Sequence, residues 1–255
     1  MKVIVIGAGR GRRLMPTTAD APKCYAEVAG KRLLDWALEA FAASGLNDVC
    51  FIGGYRIDKV QADYPRFTFR ENPAWETTNI LASLFCATDV MDEGFICCYS
   101  DVLFTPDVIA RLAASPADIA LGVDTGWLER YEHRTDHPPD DAEKVTVAGG
   151  QVTRVDRKIP ETDAYGEYIG VAKVSPAGAQ RLRAFYEKRR AEFAGKPWRD
   201  ARDFENAYKI LLFQDMIEHG EQFTHVDTPG GYIEVDTQQD FDYARKNWLT
   251  KHLAR

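Results

Sequence analysis

The chain has none of the features that a membrane-spanning or exported protein needs. No apolar run approaches the roughly 20 residues that cross a bilayer, and the first residues carry no basic, apolar and small-residue segments of a signal peptide. We expect a soluble, cytoplasmic protein. Basic residues are too few for a general nucleic-acid binder: 32 Lys and Arg stand against 39 Asp and Glu, a formal charge of -7, whereas phosphate backbones call for a broad basic surface. Cysteine is sparse as well. Cys24, Cys50, Cys86, Cys97 and Cys98 are odd in number and form no Cys-x-x-Cys pair, so reduced, buried thiols are expected in place of a disulfide framework. Cys97 and Cys98 are adjacent on a strand and so point to opposite faces. A zinc-binding helix is missing too: His133 and His137 are four apart, but Pro138 and Pro139 follow, and no His-Glu-x-x-His occurs. Repeats, low-complexity tracts and linkers are absent, so 255 residues with 45% hydrophobic content read as one α/β domain covering 1–255, with a nucleotide-binding part over about 1–123 and an acceptor-side part over about 124–255.

The informative stretch is the first 25 residues. Met1 to Ile6 is a short apolar strand, broken at once by Gly7-Ala8-Gly9-Arg10-Gly11-Arg12-Arg13. Glycine permits the backbone angles and close approach that let several N–H groups face one anion. Residues 1–25 hold five cations (Lys2, Arg10, Arg12, Arg13, Lys23) and one acid, Asp20, so basic charge is concentrated on this loop. The spacing is neither a Walker loop, since Lys23 is distant from the glycines and precedes Cys24, nor a dinucleotide fingerprint, since position 12 is arginine.

The pattern Gly9-x-Gly11-x-Arg13-Leu14-x-Pro16-x-Thr18-x-x-x-Pro22-Lys23 resembles the signature of the sugar-phosphate nucleotidyltransferase superfamily. It departs from it at Ile6-Gly7, where Leu-Ala is usual, at Arg12, which replaces a small or hydroxyl residue, and at Thr17, which replaces an apolar one. The resemblance implies a Rossmann-like three-layer sandwich with a mixed, mostly parallel sheet and a small acceptor-side β insertion. It also implies that Ala8, Gly9, Arg10 and Gly11 hold triphosphate, and that Arg13 and Lys23 are catalytic.

Further along, Leu33, Leu34, Ala37, Leu38 and Phe41 mark a helical stripe ended by Gly45, and strands are expected near 48–52, 67–69, 95–100 and 119–123. Thr78-Asn79-x-x-x-Ser83-Leu84 resembles the base-side segment of phosphocholine-type cytidylyltransferases, which puts Asn79 and Ser83 near a cytosine; without the resemblance, Asn79 or Thr78 is an ordinary helix N-cap. Asp101 follows the strand 95–100 and matches the superfamily's metal-binding aspartate. Asp236, in Asp236-Thr237-x-x-Asp240, would be the second metal carboxylate, with Thr237 and Asp240 starting the last helix. Residues 124–142 show no regular pattern, and 145–155 with Gly149-Gly150 read as a β-hairpin. Glu167, in Glu-Tyr-x-Gly, and Asp215, on a helix expected over 203–220, would contact the acceptor. Gly170 would let substrate approach the backbone.

The implied reaction is Mg²⁺-dependent transfer of CMP from CTP to a small phosphorylated alcohol or phosphonate resembling phosphocholine, with pyrophosphate released. Trp75, Trp127, Tyr131, Tyr165 and Trp198 are candidates for an aromatic cage around a quaternary ammonium. Two alternatives stay open: a sugar-1-phosphate uridylyl- or guanylyltransferase, and a catalytically inert nucleotide sensor. A nicotinamide-dependent oxidoreductase is disfavoured by Arg12 and by Gly53-Gly54 after the second strand.

Overall fold

The computed structural model describes residues 1–136 and 138–253; the His133–His137 pair falls partly outside them, at His137. Strand β1 (Lys2–Gly7) leads through the glycine turn to a short ribbon of β2 (Glu27–Val28) and β3 (Lys31–Arg32), then to helix α1 (Leu33–Ala42). β4 (Val49–Gly53), α2 (Ile57–Asp63), β5 (Thr68–Glu71), α3 (Ile80–Phe85) and β6 (Phe95–Tyr99) follow. After β7 (Val102–Phe104) come α4 (Pro106–Ala114), β8 (Ile119–Asp124), α5 (Trp127–Tyr131), the hairpin β9 (Lys144–Ala148) and β10 (Gln151–Val155), and β11 (Gly166–Val174). The chain continues with α6 (Pro176–Phe193), α7 (Lys209–Glu218), β12 (Phe223–Asp227), β13 (Tyr232–Glu234) and α8 (Gln238–Asn247).

The main sheet runs β5-β4-β1-β6-β11-β8-β12-β10-β9. Its first four strands are parallel, and β11 lies antiparallel between β6 and β8. This is the mixed sheet with a mostly parallel core that the resemblance implied. β9 also pairs with the start of β11, so the strands from β11 to β9 close on one another. Because side chains alternate along a strand, Val3 and Val5 of β1 join one core layer while Ile4 and Ile6 join the other. Cys97 and Cys98 divide between the same two layers, as expected. In open parallel sheets ligands gather beyond the carboxyl ends of strands where the order reverses. Here that point is the edge where β1 parts from β4 on one side and β6 on the other.

Three expectations about elements need correction. Residues 124–142 contain the short helix α5. The helix expected over 203–220 is a 3-10 turn, Phe204–Asn206, followed by α7 from Lys209. The break arises because the Glu205 and Ala207 carbonyls accept from the Asn79 and Leu81 N–H groups and so do not continue a helix of their own. The last helix, expected over Phe241 to Leu253, changes at Trp248 into a π turn, Trp248–His252.

Candidate active site

At that sheet edge the glycine turn forms one wall of a cleft of about 520 Å³. The turn is held from behind. Tyr55 N–H donates to the Ala8 carbonyl (2.9 Å), and a Cβ on Gly54 would stand 2.7 Å from that carbonyl and 2.6 Å from Trp75. A Cβ on Gly9 would meet nothing within 4 Å, so the turn faces open space there. Gly11 has φ 69°, and a Cβ on it would press the Lys23 stem at 3.0 Å. Glycine is therefore required twice over at that position, for its left-handed backbone and for the passage of the lysine. Thr18 Oγ1 donates to the Gly11 carbonyl (2.8 Å), tying the turn to the segment that delivers Lys23. Arg12 and Arg13, on a single 3-10 turn, both line the cleft. Arg10 does not: its guanidinium lies 5.2 Å from the centre of the Tyr55 ring.

Lys23 Nζ donates to Asp101 Oδ2 (2.7 Å) and to Asp236 Oδ1. Burial works against the Lys23 proton, but the two flanking carboxylates outweigh it and raise the ammonium's pKa. Arg13 Nη2 adds a 2.8 Å contact to Asp236 Oδ2. These acids are 135 positions apart, and a two-stranded ribbon brings them together: β13 pairs antiparallel with β7, Glu234 opposite Val102, and Val235 N–H donates to the Asp101 carbonyl (2.9 Å). Thr237 and Asp240 form a reciprocal capping box at the start of α8, fixing the residue after Asp236. The Thr237 and Asp240 roles read from sequence are those observed.

Sequence reasoning missed Glu234. It lines the cleft two residues before Asp236, and burial first, then Asp236, pushes its carboxyl up to about 8. The period-2 spacing of Glu234 and Asp236 was the available signal.

Asn79 and Ser83, expected near a base, both line the cleft. Asn79 Oδ1 accepts from Ile80 N–H (2.8 Å), which is an N-cap, and its Nδ2 donates to the Asn206 carbonyl (3.3 Å). Ser83 Oγ accepts from Asn72 Nδ2 (2.9 Å). Glu167 is buried and also lines the cleft, with Tyr131 donating at 2.8 Å and Arg130 paired to its other oxygen. Asp215 does not reach the cleft. Its carboxylate is taken by Arg189 (2.6 Å) and Arg199 (3.1 Å) between α6 and α7. Gly170 gives its close approach to a side chain, since a Cβ there would meet the Tyr99 ring at 2.5 Å. Of the proposed aromatic cage, Trp75 lines the cleft, whereas Trp127, Tyr131 and Trp198 are buried in packing. Glu143, Arg157 and Tyr208 line the cleft as well, and none was singled out from sequence.

Residues 3–160 match the model of the MobA-like NTP transferase domain. The chain belongs to that family. Over 252 residues it is 29% identical to the CTP:phosphoglutamine cytidylyltransferase of Campylobacter jejuni, covering 95% of this chain and 98% of that one. Two solved structures share the fold. The CTP:phosphocholine cytidylyltransferase of Streptococcus pneumoniae superposes with TM-score 0.71 at 20% identity, covering 96% of this chain and 97% of the other. The inositol-1-phosphate CTP transferase of T. maritima superposes with TM-score 0.73 at 21% identity, covering 100% and 98%. The superfamily resemblance read from residues 9–23 is borne out, and with it the nucleotidyltransferase assignment.

In this NTP transferase the matched region contains the glycine turn, Lys23 and Asp101 but ends before Asp236. Among the described residues no group of three or more His, Cys, Asp or Glu is arranged to enclose an ion. One oxygen nevertheless fits a cation: Asp101 Oδ1 is buried and has no hydrogen-bond partner, and a hard carboxylate oxygen in that state suits Mg²⁺. No described helix is long and apolar enough to cross a membrane.

Proposed function

We propose that this chain is a Mg²⁺-dependent cytidylyltransferase that moves CMP from CTP to a small phosphorylated or phosphonate acceptor and releases pyrophosphate. One observation carries the reading: Lys23, Arg13 and two carboxylates 135 positions apart in the sequence converge beside a glycine turn that opens into the cleft. CTP is favoured because the relatives named above use it. Their named acceptors are phosphoglutamine, phosphocholine and inositol-1-phosphate.

The reaction needs no protein nucleophile. An oxygen of the acceptor phosphate forms the new bond to the α-phosphorus of CTP, the bond to pyrophosphate breaks, and no proton has to move. The protein's contribution is position and charge. Backbone N–H groups of residues 8–11 and the Arg13 guanidinium hold the leaving phosphates. Lys23, kept charged by its acids, is drawn from them towards the α-phosphate and the acceptor phosphate as negative charge enters. Asp101 and Asp236 would hold Mg²⁺, which supplies charge neutralisation on the triphosphate when bound. Asn79 and Ser83 flank the base; exchange of their internal hydrogen bonds for the cytosine edge is part of the proposal.

Pyrophosphate release, measured with each of the four common ribonucleoside triphosphates against a panel of acceptor phosphates, tests the reading. CTP with a small phosphorylated acceptor is expected to be the productive pair. Preference for UTP or GTP with a sugar 1-phosphate would move the chain to the sugar-nucleotide branch, and CTP binding without turnover on any acceptor would make it a sensor.

A further inference from the structure

The acceptor end of the cleft carries both signs of charge and two polar atoms that nothing satisfies. Arg157 approaches Glu143 and Asp141 only at 3.6 Å each, outside good hydrogen-bond length. Its guanidinium lies 4.0 Å from the centre of the Tyr208 ring, and its Nε is buried without a partner. Tyr168 also lines the cleft, and its Oη is likewise buried and unpartnered. Glu143 stands among them: Tyr99 Oη donates to it at 3.2 Å, and the Tyr168 N–H donates to its carbonyl at 2.8 Å. Buried polar atoms left open are costly unless something fills them.

We infer that Arg157, Tyr168 and Glu143 form a subsite for an acceptor whose tail is a zwitterion, with a carboxylate read by Arg157 and Tyr168 and an ammonium read by Glu143. The inference rests on the transferase reading, whose acceptor it specifies. The open atoms belong to two donors, a guanidinium N–H and a phenol, and they call for an acceptor atom on the ligand. A tail bearing only a quaternary or primary ammonium has none to offer. A tail bearing only a carboxylate would satisfy them but would bring its charge up to Glu143. An amino-acid tail answers both, and the planar guanidinium is suited to a carboxylate while Tyr208 supports its face.

Three probes that differ by one group each test this by calorimetric titration in the presence of CMP and Mg²⁺. O-phosphoserine carries the full tail, phosphoethanolamine lacks its carboxylate, and 3-phosphooxypropionate lacks its ammonium. O-phosphoserine is expected to bind about 10-fold or more tightly than either truncated probe. Arg157→Met should erase its advantage over phosphoethanolamine while leaving phosphoethanolamine affinity within about 3-fold, and Glu143→Gln should erase its advantage over 3-phosphooxypropionate. Equal affinity of wild type for O-phosphoserine and phosphoethanolamine overturns the inference, as does an Arg157→Met variant, folded by its melting curve, that keeps the discrimination. Pyrophosphate release is read separately. Discrimination without turnover would count against the transferase reading and for the subsite, while turnover without discrimination would do the reverse.

Discussion

The two ends of the cleft are built in different ways. The phosphate end is local: a single turn supplies the backbone, Arg12 and Arg13, and its own continuation supplies Lys23, so most of its parts lie within residues 7–23. The proposed acceptor end is gathered from the end of β6, the closed group of strands that includes β9 and β11 with the residues flanking the hairpin, and the break before α7, which contribute Tyr99, Glu143, Arg157, Glu167, Tyr168 and Tyr208. A short loop can be kept while the distant elements vary, so the same phosphate chemistry can serve different acceptors. The difference predicts separable kinetics: damage at the phosphate end should slow every acceptor alike, and damage at the other end should discriminate.

The largest effect is expected from Lys23→Ala. With its bridge between Asp101 and Asp236 removed, kcat/KM should fall on the order of 10²-fold or more for all acceptors, as measured by pyrophosphate release. A variant within a few-fold of wild type would dissolve the contrast between the ends. Next, two alanine substitutions at left-handed glycines should part company. Gly11→Ala strains the turn and displaces the Lys23 stem, lowering kcat whatever the acceptor. Gly170→Ala presses on the Tyr99 ring and should raise the acceptor KM while leaving that for CTP unchanged. Each is also expected to lower stability by about 1–2 kcal/mol, seen in thermal melts.

Glu234 also lines the cleft and offers a pH test. Burial and Asp236 raise its carboxyl to about 8, from an unfolded value of about 4.3. The folded chain then holds a proton that the unfolded chain has released, so stability falls as pH rises from about 4 to 8. Glu234→Gln should flatten that decline in melting temperatures taken without divalent ions, and an unchanged slope would assign it to another group. The smallest kinetic effect is expected from Asp215→Asn. It leaves Arg189 and Arg199 without their shared counter-ion and should lower stability by about 1–3 kcal/mol, with kcat/KM within about 2-fold of wild type. A selective loss with one acceptor would return Asp215 to the site.

The same contrast explains what the sequence made legible. Glycine geometry, a clustered basic charge and a spaced motif act over a few residues, so the turn, Arg13 and Lys23 could be read directly. β1 and β6 were legible because alternation fills both core layers. Glu234 lay within reach, one strand period from Asp236. Arg157, Glu143 and Tyr208 were not legible, because they reach the cleft only through the β9–β11 pairing and the break at residues 207–208. Carbonyls answering to α3, over 120 residues earlier in the chain, made that break. The acceptor role of Asp215 came from the resemblance alone, and its pairs with Arg189 and Arg199 join separate segments that no local pattern brings together.

The pairing of β13 with β7 bears on how the protein is made. On the ribosome the glycine turn and Lys23 emerge before Asp101, and the segment carrying Asp236 emerges 135 residues after Asp101. Until it docks, the lysine has one carboxylate in place of two. Catalytic competence should therefore wait for β13, and a product clipped before residue 232 would retain the means to grip a triphosphate without the means to spend it.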